Sequence, residues 1–485
     1  MRLTIDTQQA LDTIRGGLPI ALVGLLFMAQ FAPTPVMLAT VVIALAVLGP
    51  RAWTSPRWLR AAVILGAALS VVSAPLLSVG GVNVRLSQAI LPLALLALLT
   101  RTGGRLKAPR ASLWALVTLL ALGLFTLANP ETRVRGLGQV MLFGLNLFHF
   151  VLAFALARET ADGDDDSVRW LGWAALVMAG WSGTVLLADR AGIPLVASLV
   201  FEEGVIAFVD GQLVAQVVRR FAHAMIAAGV FAGLLPLFLA LALDRRSPQW
   251  RFVVLAATAS FLGLMFAFGR GPILGALAGL GVVVIVALRR SPVFTLRLLG
   301  IVAIVVAVGL GGLSRLPGGG EIVSVFVGRS VQLLDPTTYE RGTANERLTI
   351  WGIMLDDLEG NWLVGKGALA YRPLLFERYY GGRTDNPPAS ENIVIEILHA
   401  GGLIAVGAYL LLHLDLGWGL LRRSLARTEP RSIRLRSQGF LGALVALFVA
   451  SLFSPFAWNP MYWTILGVLA AAAVAQDRQR GAQLD

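Results

Sequence analysis

The sequence predicts an all-α fold: a polytopic transmembrane helical bundle of 12–14 spans, interrupted by one large polar loop with helices of its own. Three observations carry this. Mean hydropathy is +0.76 over 485 residues, which excludes an ordinary water-soluble protein. Apolar runs recur along the chain, each near the ~20 residues that cross a bilayer as a helix. These runs are too long and too uniformly apolar for the alternating strands of a membrane barrel. Helices and closed barrels are the only structures that satisfy backbone polar groups in hydrocarbon.

Fourteen candidate spans follow in order: 16–32, 35–50, 60–79, 84–100, 111–128, 137–157, 168–188, 223–243, 252–269, 272–288, 298–313, 391–414, 438–455 and 460–475. The first and last pairs are short enough to be re-entrant or interfacial, so twelve is the alternative count. The chain divides into N-terminal transmembrane helices (1–313), a large loop (314–390) and C-terminal transmembrane helices (391–485), one membrane domain overall. Orientation follows from the Arg and Lys bias of short loops. Basic residues crowd loops 50–60, 101–110, 244–251, 289–297 and 415–437, and fourteen spans put all five on one side with both termini. The acidic loop 158–169, with Asp162, Asp164, Asp165 and Asp166, is the one weak match. The other side receives loops 129–136, 189–222, the turn at Arg270 and 314–390. In a bacterial inner membrane that side is the periplasm.

Composition removes several kinds of chemistry. With no cysteine there is no disulfide, thiolate metal site or cysteine nucleophile. The net charge of +12 lies in short membrane loops, so no nucleic-acid partner is expected. His149, His223, His399 and His413 are dispersed and show no metal-ligand spacing. Asp356-Asp357-x-Glu359 could hold a divalent cation, but reads more simply as the solvated end of a loop helix. No metal and no cofactor is expected. Walker, dinucleotide, nucleophile-elbow and zinc motifs do not occur. Met1–Arg15 is mildly amphipathic and carries no evident cleavable signal.

The large loop offers water, polar side chains and room. Thr343-x-x-Glu346 is a capping box ahead of Leu348, Trp351, Leu355 and Leu358 at helical spacing. A helix is expected over 344–359, with Arg347 and Trp351 on one face. Gly365-Lys366-Gly367 follows, and Ser390-Glu391-Asn392 precedes the next span. The outer-side arginines Arg133, Arg135, Arg219, Arg220, Arg270 and Arg347 have no topological reason to be there. A guanidinium fork suits diphosphate oxygens, while snorkelling to headgroups explains any one of them as well. Arg270, in the turn Phe266–Pro272 at the membrane border, is costly unless paired or functional. Glu391, expected to open a helix, is either favoured there by the dipole or a general base. Glu396 and His399, at i and i+3, read as a buried polar pair and a reserve base. Tyr371, Tyr379, Tyr380 and Trp362 could stack on sugar faces or anchor the membrane interface.

In this order the motifs resemble the bacterial O-antigen polymerase and ligase superfamily, over roughly 80–460. The matching pieces are Val84–Pro92, Arg219-Arg220 before an apolar helix and Phe268-Gly-Arg-Gly271. They continue with Arg347-x-x-x-Trp351, then Gly365-Lys-Gly367, Ser390-Glu-Asn392 and Gly401-Gly402-Leu403. The resemblance implies a metal-independent glycosyltransferase that uses a polyprenyl-diphosphate-linked glycan donor on the periplasmic face. It implies diphosphate binding by Arg219, Arg220, Arg270 and Arg347, and catalysis by Glu391. Trp351, Lys366, Tyr379, Asn392 and His399 become candidates for loop or substrate contact. Expected partners are the donor, a glycan or lipid-linked acceptor, membrane lipids and a chain-length regulator. Glu391 replaces the histidine characteristic of ligases, which favours repeat-unit polymerisation over ligation to lipid A-core. A transporter of lipid-linked sugars is the reading from another class. The clustering of charge at one surface, rather than at mid-membrane, argues against it.

Overall fold

The computed structural model of the chain describes residues 53–474 apart from 73–76, 80–81, 85, 107, 132, 160–162, 191–205, 210–211, 216–223, 268, 290–291, 317, 333–343 and 380–389. The expected spans 16–32 and 35–50 lie outside the described residues. The first helices are α1 (Pro56–Val72), α2 (Leu86–Arg101), α3 (Ala111–Ala128), α4 (Arg133–Ala157), α5 (Gly163–Arg190) and α6 (Ala224–Leu241). Then come α7 (Trp250–Ala267), α8 (Arg270–Leu288) and α9 (Pro292–Leu313), and after them α10 (Gly319–Gln332), α11 (Ala344–Asp357) and α12 (Tyr371–Arg378). The chain finishes with α13 (Ile393–Leu425), α14 (Arg431–Ser451), a 3-10 turn (Pro455–Trp458) and α15 (Pro460–Val474). Seven of these, α3, α4, α7, α8, α9, α13 and α14, are long and apolar enough to cross a membrane. The chain is a multi-pass helical membrane protein.

One correction and one addition concern extended backbone. The span expected over 60–79 stops as a helix at Val72, and Leu77–Val79 (β1) pairs antiparallel with Val82–Val84 (β2). A second hairpin, Ile206–Val209 (β3) with Gln212–Ala215 (β4), lies in the loop expected over 189–222. Each hairpin stands between helices of the bundle and leaves its all-helical core unchanged.

Glycine sets the closest helix crossings. A Cβ on Gly275 or Gly279 of α8 would stand 2.6 Å from the Ala446 carbonyl oxygen or 2.4 Å from that of Gly442, both in α14. Such small-residue contacts let backbones meet where lipid supplies no hydrophobic drive between helices.

The basic loops meet at one end of the bundle. Asp166 takes Arg60 at 3.2 Å and Arg57 at 3.5 Å, and Glu159 takes Arg101 at 2.5 Å. Arg436 pairs with Asp165. Arg431 donates to the Leu243 carbonyl and lies over the Phe294 ring. The acidic loop, which fits the charge rule poorly by itself, is the counter-charge to the arginines around it. Burial explains why: Arg60 is only 2% exposed and needs a partner.

Candidate functional site

The site is built by the large loop folding back onto α13. Helix α11 forms where the apolar spacing predicts it. Its earlier part meets the residues just before α13, Arg347 with Glu391 and Trp351 with Ser390, and its last residue, Asp357, meets His399 within α13. The two helices therefore lie side by side and run the same way. Ile350 and Met354 of α11 pack on Tyr371 and Leu375 of α12, with Trp351, Tyr379 and Ile395 against them. The chain thus goes in along α11, turns at 361–367 and returns along α12.

The turn is lodged in a break of α13. Gly402 sits at φ 65°, ψ −165°, a region open essentially only to glycine. An unbroken helix would bond Leu403 N–H to His399 O and Ile404 N–H to Ala400 O. Instead Lys366 N–H donates to His399 O at 2.7 Å and Gly367 N–H to Ala400 O at 2.9 Å. Leu403 N–H donates to Trp362 O at 2.8 Å, and Ile404 N–H to Leu363 O at 3.4 Å. The loop backbone replaces both missing helical bonds, so four polar groups that would each cost ~1–3 kcal/mol if buried unpaired are satisfied. Gly365 makes this approach possible, since its Cβ would fall 2.6 Å from the Gly402 nitrogen. Asn129 Nδ2 donates to Lys366 O at 2.7 Å, and Ala368 N–H donates to Thr126 Oγ1 at 2.9 Å. The end of α3 therefore clamps the turn from the other side. Trp362, Leu363, Leu403 and Ile404 leave their side chains exposed around it. An exposed apolar group with a tryptophan suits the membrane interface.

Arg347 and Glu391 form an ion pair, each side chain 27% exposed, so the pair is open to a ligand. Trp351 Nε1 donates to the Ser390 carbonyl at 2.8 Å and fixes the backbone beside it. Glu391 does not open the helix, as its position suggests. α13 begins at Ile393 with Asn392 as N-cap, whose Oδ1 accepts from Val394 N–H at 3.0 Å and Ile395 N–H at 3.2 Å. Glu391 precedes the cap at φ 56°, left-handed backbone that non-glycine residues rarely adopt. The dipole explanation for its position loses force, because it stands outside the first turn. Asn392, a substrate-contact candidate, has its side-chain oxygen committed to capping.

Glu396 and His399 are both buried, but not as a pair. Glu396 accepts from Trp458 Nε1 at 2.6 Å and Tyr371 O–H at 3.2 Å. It joins the loop to the α14–α15 connection. His399 Nε2 lies 3.0 Å from Asp357 Oδ2, and Lys366 Nζ donates to Asp357 Oδ1 at 2.8 Å. Asp357 is therefore a half-buried anchor rather than the solvated helix end expected from its sequence. Burial pushes its carboxyl up, but the hydrogen bonds and charges of Lys366 and His399 outweigh that and hold it below the ordinary range. Burial and the neighbouring Glu396 raise the Tyr371 phenol above its ordinary value, so it stays a donor.

Arg270 is the first residue of α8, after the N-cap Gly269. Gly271 packs so tightly on Phe453 that a Cβ would lie 2.3 Å from the Phe453 Cβ. Phe453 and Trp458 belong to one connection, and Trp458 reaches Glu396, so this connection links the start of α8 to α13. Tyr379 ends α12, half-buried in the small cluster with Ile350. Arg219 and Arg220 lie outside the described residues, as do Thr343 of the expected capping box and Tyr380. Asp357, Tyr371 and Ser390 are the residues whose roles sequence reasoning missed. Their partners stand 42, 25 and 39 positions away, with no local signal of the pairing.

No curated protein matches the chain. The O-antigen ligase family model matches residues 252–410, which takes in α7 to α12, the Arg347–Glu391 pair and the broken start of α13. The segment that supplies most of the site is therefore similar to the O-antigen ligase family over about a third of the chain, which is consistent with the O-antigen polymerase and ligase superfamily.

Proposed function

We propose that the chain is a membrane glycosyltransferase of the bacterial inner membrane. It moves a polyprenyl-diphosphate-linked glycan onto an acceptor sugar hydroxyl on the periplasmic face, polymerising O-antigen or exopolysaccharide repeat units. The family supports glycosyl-transfer chemistry of the O-antigen type on a lipid-linked glycan. The observation that carries the finer reading is the open Arg347–Glu391 pair, with its carboxylate held on left-handed backbone at the loop–membrane junction.

The pair suits an exchange of partners. An arriving diphosphate offers Arg347 a bidentate partner and releases the Glu391 carboxylate. The acceptor hydroxyl oxygen then forms a bond to the anomeric carbon, while the bond from that carbon to the diphosphate oxygen breaks. The electron pair leaves with the diphosphate, where Arg347, Arg270 and the Arg219-Arg220 pair offset the developing charge. The hydroxyl proton passes to Glu391. Arginines meet the electrostatic need without a metal. Glutamate in place of the histidine characteristic of ligases favours polymerisation, with ligation to lipid A-core or another acceptor as the second reading.

Purified protein given polyprenyl-diphosphate-linked repeat units, in EDTA, should yield a ladder of longer lipid-linked glycans. Product only when lipid A-core is added would move the assignment to ligase. Activity that EDTA abolishes and Mg²⁺ restores would remove metal independence. No glycan transfer under either condition would reject the reading.

A further inference from the structure

We propose that Asp357 is a positioning residue, which works through His399 and Lys366 to hold Arg347 opposite Glu391. This rests on the reading of that pair as the reacting centre.

Helix α11 is tied at one end to the residues just before α13 and at the other to α13 itself. Its outer end carries Arg347 and Trp351 against Glu391 and Ser390. Its inner end carries Asp357, one oxygen on His399 of α13 and the other on Lys366 of the inserted turn. Both oxygens of one carboxylate therefore bridge the three pieces that must stay in register: loop helix, inserted turn and broken helix. His399 is fully buried and cannot shift without repacking, whereas Lys366 is about a third exposed. The backbone exchange at Gly401-Gly402 sets the depth of the turn. It does not set the rotation of α11, because its four bonds involve residues 362–367 and not the helix itself. Asp357 constrains it at the inner end, in addition to the packing of Ile350 and Met354 with α12 and the Trp351–Ser390 bond. Ten residues separate Asp357 from Arg347, about 15 Å along a helix. A small rotation at one end becomes a displacement of the guanidinium at the other. Misplacement by ~1 Å can cost about 10²-fold in rate.

The test uses the cysteine-free full chain. Spin labels at Leu348→Cys on α11 and Leu411→Cys on α13 replace two exposed side chains. They report the position of α11 without any assay of activity. The parent should give one narrow distance distribution. Asp357→Asn should broaden it or add a second population, and Asp357→Glu should restore much of it. In the transfer assay, Asp357→Asn should lower the rate at saturating donor about 10–10²-fold, with donor affinity changed about twofold or less. Loss of abundance with normal specific activity of the folded fraction would mark a merely structural residue. An unchanged distance distribution in Asp357→Asn would overturn the proposal, whatever the transfer assay shows. Absence of transfer by the parent would count against the proposed function alone. If Asp357→Asn does not fold, Lys366→Met removes one half of the anchor at its exposed partner, and the same outcomes decide.

Discussion

Replacing Glu391 with glycine and with alanine separates what this residue does for the fold from what it does for the reaction. At φ 56° a side chain bearing a Cβ is strained, by roughly 1–2 kcal/mol in the left-handed region. Glycine removes that strain but adds about 0.5–1 kcal/mol of unfolded-chain entropy. Both variants lose an ion pair that is partly exposed and worth about 0–1 kcal/mol. Glu391→Gly should therefore lie between about 1 kcal/mol below and about 1.5 kcal/mol above the parent, and above Glu391→Ala by about 0–1.5 kcal/mol. Thermal unfolding of the detergent-purified variants reads the order. Both variants should lose transfer by about 10²–10⁴-fold, the usual cost of removing a general base. A Glu391→Ala protein more stable than Glu391→Gly would contradict the strain argument. Near-normal transfer by Glu391→Gly would reduce the carboxylate to a bystander.

Three further outcomes follow from the geometry. Gly402→Ala places a Cβ 2.2 Å from the Leu363 carbonyl oxygen at a glycine-only φ, so it should expel the turn. It should destabilise by more than the ~1 kcal/mol of a misplaced backbone alone, seen as protease cleavage within 361–370. Asp357 is held below its ordinary value of 3.8. Its contribution to stability is thus present above 3.8 and lost as pH falls through the lower folded value. Hydrogen exchange of α11 should rise only in acid below that range, and Asp357→Asn should lack this limb. For sidedness, Arg423 is a poor reporter, because it is buried and bonded to the Ala472 carbonyl. The exposed Glu359→Cys should label from outside intact cells and the exposed Arg427→Cys should not, and the reverse pattern would invert the orientation.

Features built from local pattern were legible in the sequence. Helix α3 spans the expected 111–128, and α11 starts at the expected residue and ends two short, at Asp357. The shared face of Arg347 and Trp351 follows from helical spacing, and the structure turns that face onto Ser390 and Glu391. Features made by long-range exchange were not legible. Gly401-Gly402 signals a weak point in a helix, but nothing local says that residues 362–367 fill it. Asp357 looks like one more acidic residue at a helix end until His399 and Lys366 are brought to it. The left-handed backbone of Glu391 has no sequence mark at all, because glutamate is not a residue type that adopts it by preference. The acidic loop at 159–166 looked anomalous because a charge rule counts each loop separately, whereas Arg57, Arg60, Arg101 and Arg436 come from three other segments. The hairpins carry a local signal: the residues between their strands are Gly80-Gly81 and Asp210-Gly211, pairs suited to two-residue connections.

The central claim is that Arg347 and Glu391 exchange partners, the arginine taking the donor's diphosphate and the carboxylate taking the acceptor's proton. Donor affinity and transfer rate, measured separately on purified Arg347→Lys and Glu391→Gln, test it most directly. Arg347→Lys keeps the charge but loses the fork, so it should weaken donor binding and slow transfer together. Glu391→Gln should bind donor at least as well as the parent, since Arg347 no longer has a carboxylate to leave, and should lose transfer about 10²–10⁴-fold. Glu391→Gln protein that transfers at the parental rate, or Arg347→Lys protein that binds donor unchanged, would contradict the account.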